Sequence, residues 1–141
     1  MIRTARRVLP VLPVPRGLRL QFVHARDVAA AAATAIERRA AGPFNLAAEP
    51  LDAAGIAALL DARAVDVPGR LVRPLVSALY RAHAVPVSPG WYDLAMQGPL
   101  LDCTRARELL DWQPTRSSAQ VGNELVGALA VGRSGPTPAL Q

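Results

Sequence analysis

The chain has 141 residues, about one domain on the usual span of roughly 100–200, and a composition 51% apolar and 19% charged, which excludes a disordered polymer. No uncharged apolar run approaches the roughly 18 residues of a membrane span. Prolines also break the apolar part of "MIRTARRVLPVLPVP", where a signal or transit peptide needs continuity. The net charge of +5 invites a nucleic-acid reading, but all 16 basic residues are arginine, they are scattered, and aromatics are only 4%. With so few stacking platforms, nucleic acid is not an expected partner. Cys103 is alone, so no intrachain disulfide exists and a reducing cytoplasm is the expected location.

In chain order, residues 2–9 are expected to form a short helix, stopped by Pro10, Pro13 and Pro15. Arg16 and Gly17 turn into a strand over 20–25, whose centre is Phe22 and Val23. Asp27 is the expected N-cap of an alanine-rich helix ending near Ala41 and Gly42. "PFNLA" (43–47) reads as a second strand, and Asp52 as the cap of a helix carrying Ile56, Leu59 and Leu60. "AVDVP" (64–68) is a third extended piece. From Gly69 the pairs Leu71/Val72, Leu75/Val76 and Leu79/Tyr80 recur every four residues, a helical stripe with Pro74 in or near its first turn. Helices are also expected over 89–97, from Thr104 to Leu110, and from a Ser117 or Ser118 cap to about Val131, with 99–102 extended. Residues 1–132 form one domain in this reading. The Gly/Pro-rich stretch 133–141 is expected to be a disordered tail.

Four segments carry a resemblance. "LQFVHARDVAAA", "GPFNLAAEPLDAAGIAALL", "PLLDCTRARELLDWQP" and "RRVLPVLPVP" together resemble the C-terminal part of the NAD-dependent epimerase/dehydratase, or extended short-chain dehydrogenase/reductase, family. The first looks like its strand-His-x-x-Asp-helix junction. The third looks like its Asp-x-x-Arg-Ala-Arg-x-x-Leu-Gly-Trp-x-Pro segment, with Asp111 where the family has glycine. Aspartate tolerates a left-handed backbone at that position at modest cost. The resemblance implies an α/β fold: the helix-rich C-terminal portion of an extended Rossmann-type enzyme, with few short strands and the cofactor-binding half absent. It implies NAD(P) and a sugar-nucleotide-like substrate for a complete enzyme. It also places Gln21 and His24 on the substrate side of the junction. The diphosphate-gripping Arg-Asp pair of UDP-sugar epimerases aligns with Leu20 and Gln21, leaving Arg19 one residue early on the opposite strand face.

The family's catalytic inventory is missing. The glycines never approach the spacing of a pyrophosphate loop, and without lysine a Tyr-x-x-x-Lys pair cannot exist. The expected site is therefore substrate-binding only (Gln21, His24, Arg19), with no catalytic, cofactor or metal residues. His83, Asp93, Asp102 and Glu108 lack ligand spacing. Neither Cys103 nor Ser88 sits in a nucleophile motif, and Trp91 and Trp112 read as packing. His24 and Asp27 have an ordinary reading beside the functional one, as a backbone-bonded strand end and a plain cap. The expected protein is a substrate-binding portion inactive alone, whether truncated, mis-started or paired with a separately encoded Rossmann half. The rival is a non-enzymatic α/β binding module. Removing a cofactor half should expose Leu20, Phe22 and Val23 and favour self-association.

Overall fold

A computed structural model describes residues 11–83 and 88–131. The helix expected over 2–9 and the tail expected over 133–141 lie outside the described residues. Among those described, the protein is a small α/β domain of six helices and a two-stranded parallel sheet. Its elements are β1 (Val11–Pro15), α1 (Ala25–Glu37), α2 (Ala53–Ala58), β2 (Arg63–Val67), α3 (Gly69–Arg81), α4 (Pro89–Gln97), α5 (Thr104–Leu110) and α6 (Ser118–Ala130). No helix among them is long and apolar enough to cross a membrane.

β1 is a correction to the sequence reading, which took its prolines only as breakers. β1 pairs in parallel with β2, Val11 opposite Arg63 through Pro15 opposite Val67. The Arg16 N–H donates to the Val67 carbonyl, so the N–H groups of Leu12 and Val14 also face β2. The nitrogens of Pro13 and Pro15 then face the outer edge, where no ladder donor is needed. Proline is tolerated on an edge strand for that reason, and here it also blunts the edge. α2 packs on both strands and α3 on β1, which buries Val14, Ala57, Leu59 and Val72.

The strands expected over 20–25 and 43–47 are not ladders. Both stretches run as extended chain, and the residues that follow the second meet the first at an antiparallel bridge, Leu20 to Leu51, and at a bond from the Ala48 N–H to the Phe22 carbonyl. Pro43 and Pro50 carry no N–H, and between them the carbonyls of Ala47 and Ala48 accept from the side chains of Cys103 and Gln21. On the facing stretch the Phe22 N–H donates to the Ser118 hydroxyl at 3.1 Å. Leu20, Phe22 and Val23 are half-buried rather than exposed. Val23 packs on a core of Ala31, Ala47, Cys103, Ala106, Leu110 and Trp112.

Helix α1 departs from expectation at both ends. Its N-cap is His24, whose Nδ1 accepts from the Arg26 N–H at 3.1 Å. Asp27 is the third helical residue and is only 3% exposed. It turns inward to accept from the Thr115 hydroxyl at 2.5 Å and the Thr115 N–H at 3.2 Å, while its carbonyl accepts from the Trp112 indole at 3.0 Å. The helix ends at Glu37, ahead of the expected Gly42. Arg39 takes the left-handed position (φ 52°), and the bonds from Arg39 to Ile36 and from Ala40 to Ala35 close a Schellman motif. The cost of a non-glycine residue there, roughly 1–2 kcal/mol, is offset by those two bonds and by the seating of Ala40 on the core.

Elsewhere the expected helices form. Asp52 caps α2 through Gly55, and Ser117 caps α6 in a capping box with Gln120. Asp111 is left-handed (φ 53°), as expected of the turn before Trp112. Pro74 lies beyond the first turn, inside α3. There it removes the N–H that would meet the Arg70 carbonyl, a loss water can make good because both residues are exposed.

Asp27→Ala removes a buried acceptor and leaves the Thr115 hydroxyl and N–H without theirs. We expect a loss of roughly 2–4 kcal/mol in urea unfolding, with Asp27→Asn losing less. Wild-type stability in the alanine variant would show that the clamp carries no weight.

Candidate functional site

The stretch 19–24 holds the three residues singled out from the sequence, and it presents them to different surroundings. Gln21 bridges two backbone segments. Its amide nitrogen donates to the Ala48 carbonyl at 3.2 Å, and its amide oxygen accepts from the Leu101 N–H at 2.7 Å. The residue thus staples the 46–51 segment to the entry of α5, with both ends of its amide engaged.

His24 sits where extended chain becomes α1. Because Nδ1 accepts from a backbone N–H, the neutral ring carries its proton on Nε2. Nε2 lies 3.5 Å from Glu124 Oε2 on α6. The other carboxylate oxygen of Glu124 pairs with Arg116 Nη1. His24, Glu124 and Arg116 therefore form a small cluster joining α1, α6 and the loop between α5 and α6. Both ring nitrogens are occupied, so His24 has no free lone pair with which to abstract a proton unless the cap opens. As it stands, the cluster can position a polar group beside it. It offers no base.

Arg19 is exposed and faces a cavity of about 530 Å³ on the other side of the stretch, with Gly17, Leu18, Asp52, Ala54 and Asp66. That lining includes neither Gln21 nor His24. The two-residue alternation of extended chain turns His24 away from Arg19, while Gln21, of the same parity as Arg19, is held by the backbone of Ala48 and Leu101. Gln21 is thus committed to backbone, His24 to backbone and Glu124, and Arg19 to the cavity, so the three are not gathered into one site.

The partners of several residues that build this region escaped the sequence reading. Ser118 is fully buried, bonding both the N–H and the carbonyl of Phe22, and its own N–H donates to Glu49 Oε1 at 3.1 Å. A carboxylate at the first turn of α6 is favoured by the helix dipole. Ser117 and Gln120 were readable as a capping pair, but Glu49 and Glu124 carry no local signal, since each finds its partner across the fold. Asp102 accepts from the Thr104 hydroxyl at 2.6 Å and N–H at 2.9 Å, anchoring the start of α5. Those bonds hold its carboxyl below the ordinary value of 3.8. Asp93 lies below it too, through a two-pronged pair with Arg73 that ties α4 to α3. Cys103 is buried, its thiol 3.6 Å from the Ala47 carbonyl. Among the described residues no three His, Cys, Asp or Glu side chains converge as metal ligands do.

No family model matches the chain, and no curated protein or solved structure matches it.

Two tests follow from the geometry. His24→Ala removes the α1 cap and should cost about 1 kcal/mol in thermal or urea unfolding, with His24→Asn recovering most of it. Equal losses in the two variants would deny the capping role. The acid limb concerns Asp93 and Asp102. Both values are lowered by folding, so their contribution is complete above pH 3.8 and is lost as pH falls through the lower folded values. Melting temperature followed from pH 5 to pH 2 should drop less steeply below that point in Asp102→Asn than in the wild type. Superimposable acid limbs would refute the assignment.

Proposed function

We propose that the chain is the substrate-binding portion of an NAD(P)-dependent oxidoreductase of the epimerase/dehydratase kind, inactive without a separate cofactor-binding half. One observation carries the reading. Val28, Ala31, Ala32 and Ala35 of α1 form, with Phe44, Leu46 and Leu110, an apolar groove of about 230 Å³. Beside it run the extended segments 20–24 and 44–51, joined by one bridge and a few bonds in place of a ladder. A helix with an apolar groove next to strand-like chain fits the edge of a layered α/β structure, in which helices cover a sheet. Open sheets of that kind bind ligands at the carboxyl ends of their strands. In this reading His24 lies at such an end, where the His24–Glu124–Arg116 cluster would face substrate hydroxyls or phosphate.

Two further features support it. The left-handed Asp111 before the buried Trp112 reproduces the turn that the family's glycine-tryptophan pair would need. The absence of lysine and of a glycine-rich loop denies this chain both the proton-transfer tyrosine's partner and a pyrophosphate cradle. The rival, a self-sufficient binding module, is favoured by the closed polar clamp around Asp27, which needs no partner to be satisfied.

Calorimetric titration separates them. The chain alone should give no heat with NAD or NADP at micromolar concentrations, and no turnover with sugar nucleotides. A longer product, carrying any in-frame upstream sequence that encodes a glycine-rich loop and a Tyr-x-x-x-Lys pair, should bind. Micromolar binding by the lone chain, or the lack of any such upstream sequence together with a cooperative monomer melt, would overturn the proposal.

A further inference from the structure

We infer that the outward face of α1 pairs with the same face of a second copy of this chain, the two helices running antiparallel about a two-fold axis near Ala32. The inference does not depend on the oxidoreductase reading. It starts from the helix's own periodicity. At 100° per residue, Asp27, Ala31, Thr34 and Ala35 share the inward side, and all four are buried or half-buried. The opposite side presents Ala29, Ala32, Ala33 and Ile36, all exposed, with Ile36 78% exposed. An isoleucine so fully in water on an otherwise alanine surface forfeits most of its burial.

The charges on this side are arranged unusually. Arg26, in the first turn, and Glu37, the last helical residue, flank the apolar face on the same side, about three turns apart. Each has the wrong sign for its end. A cation stands at the positive end of the helix dipole and an anion at the negative end. Neither has an ion-pair partner among the described residues.

An antiparallel copy corrects both at once. With the axis near Ala32, Arg26 lies over Glu37 of the second copy and Glu37 over its Arg26. Ile36 falls against Val28 and Ala29 of that copy, and the two dipoles oppose. Alanines at 29, 32 and 33 let the helix axes approach to about 8 Å. One charge of each sign, exchanged by a two-fold axis, is self-complementary. The same face suits neither nucleic acid nor an anionic lipid surface, which would want one sign throughout. A thirteen-residue helix is only about 20 Å long. The contact falls below the roughly 1,200 Å² of a standard stable interface, so the dimer is a weak one.

Sedimentation velocity on the full chain, from about 5 to 500 μM, is the test, with half-dimerisation expected at roughly tens to hundreds of micromolar. Arg26→Glu or Glu37→Arg alone should weaken dimerisation at least tenfold, since each sets like charges together across the axis. Each change also suits the dipole of its own helix, so thermal melts should show no loss of folding. The double variant Arg26→Glu/Glu37→Arg exchanges the pairs and should restore the dimer. A monomer at every concentration would overturn the inference. So would association unchanged by the single reversals, or a double variant that stays as weak as either single one.

Discussion

The buried carboxylate of Asp27 is the interaction on which the arrangement of the rest depends. It fastens the first turn of α1 to Thr115, and the same residue's carbonyl receives the indole of Trp112. Two residues on, Ser117 and Ser118 begin α6, and Ser118 grips Phe22 from the stretch that leads into α1. The loop between α5 and α6 is thereby closed onto both sides of the α1 start. The weight of this clamp follows from the core around it, where Ala31, Ala47, Ala106 and Cys103 outnumber the large side chains Leu110 and Trp112. A fully buried leucine contributes about 1.5–3 kcal/mol and an alanine much less. A hydrogen bond to a charged group contributes about 1.5–3 kcal/mol. In a core of small residues, the polar clamp therefore ranks with the largest apolar contacts.

That choice has a consequence for the junction. An aspartate at the helix start would ordinarily cap the first turn. With Asp27 committed inward, the cap falls to His24, and capping fixes the ring: Nδ1 accepts from the backbone and Nε2 points to Glu124. The orientation of the histidine is thus set by the clamp, through the cap it leaves open. Any role of His24 toward a ligand works through Nε2 and through the Glu124–Arg116 pair behind it. Gln21, one turn of extended chain earlier, has no such latitude, since both ends of its amide already hold backbone.

The elements legible in the sequence are those whose signals are local. The four-residue apolar recurrence of α3, the aspartate cap of α2 and the serine cap of α6 each report a backbone need met within a few residues. The illegible features are settled at long range. β1 contains two prolines, which read as breakers unless it is known that β2 lies on the side away from their nitrogens. Arg39 ends α1 because Ala40 has a core to sit on, and that core is contributed by α5 and the 44–47 segment. The segments at 20–25 and 43–47 have strand composition. Composition cannot show that Ser118 and Ala48, rather than a ladder partner, take up the groups of Phe22. Of the junction residues, His24 was visible as the polar end of an apolar stretch, and Gln21 was singled out only through the resemblance. Glu124 and Arg116, about a hundred residues away, were not.

The remaining apolar surface follows from the same economy of core. Leu71 and Leu75 on α3, Trp91 and Leu94 on α4, and Leu125 and Leu129 on α6 are all exposed, as is Ile36 on α1. Scattered exposed apolar residues need no explanation; the two apolar surfaces of α1 differ, because each is continuous and each has its own character. The groove side, Val28, Ala31 and Ala35, borders extended chain and carries no charge of its own. The outward side, Ala29, Ala33 and Ile36, is framed by Arg26 and Glu37. The two centres lie roughly 130° apart around the helix. A sheet supplied from elsewhere, as proposed for the groove, and a second copy on the outward face would therefore meet only at Val28 and Ala32. α1 can therefore serve as a wall between the two, with Val28 and Ala32 common to both contacts.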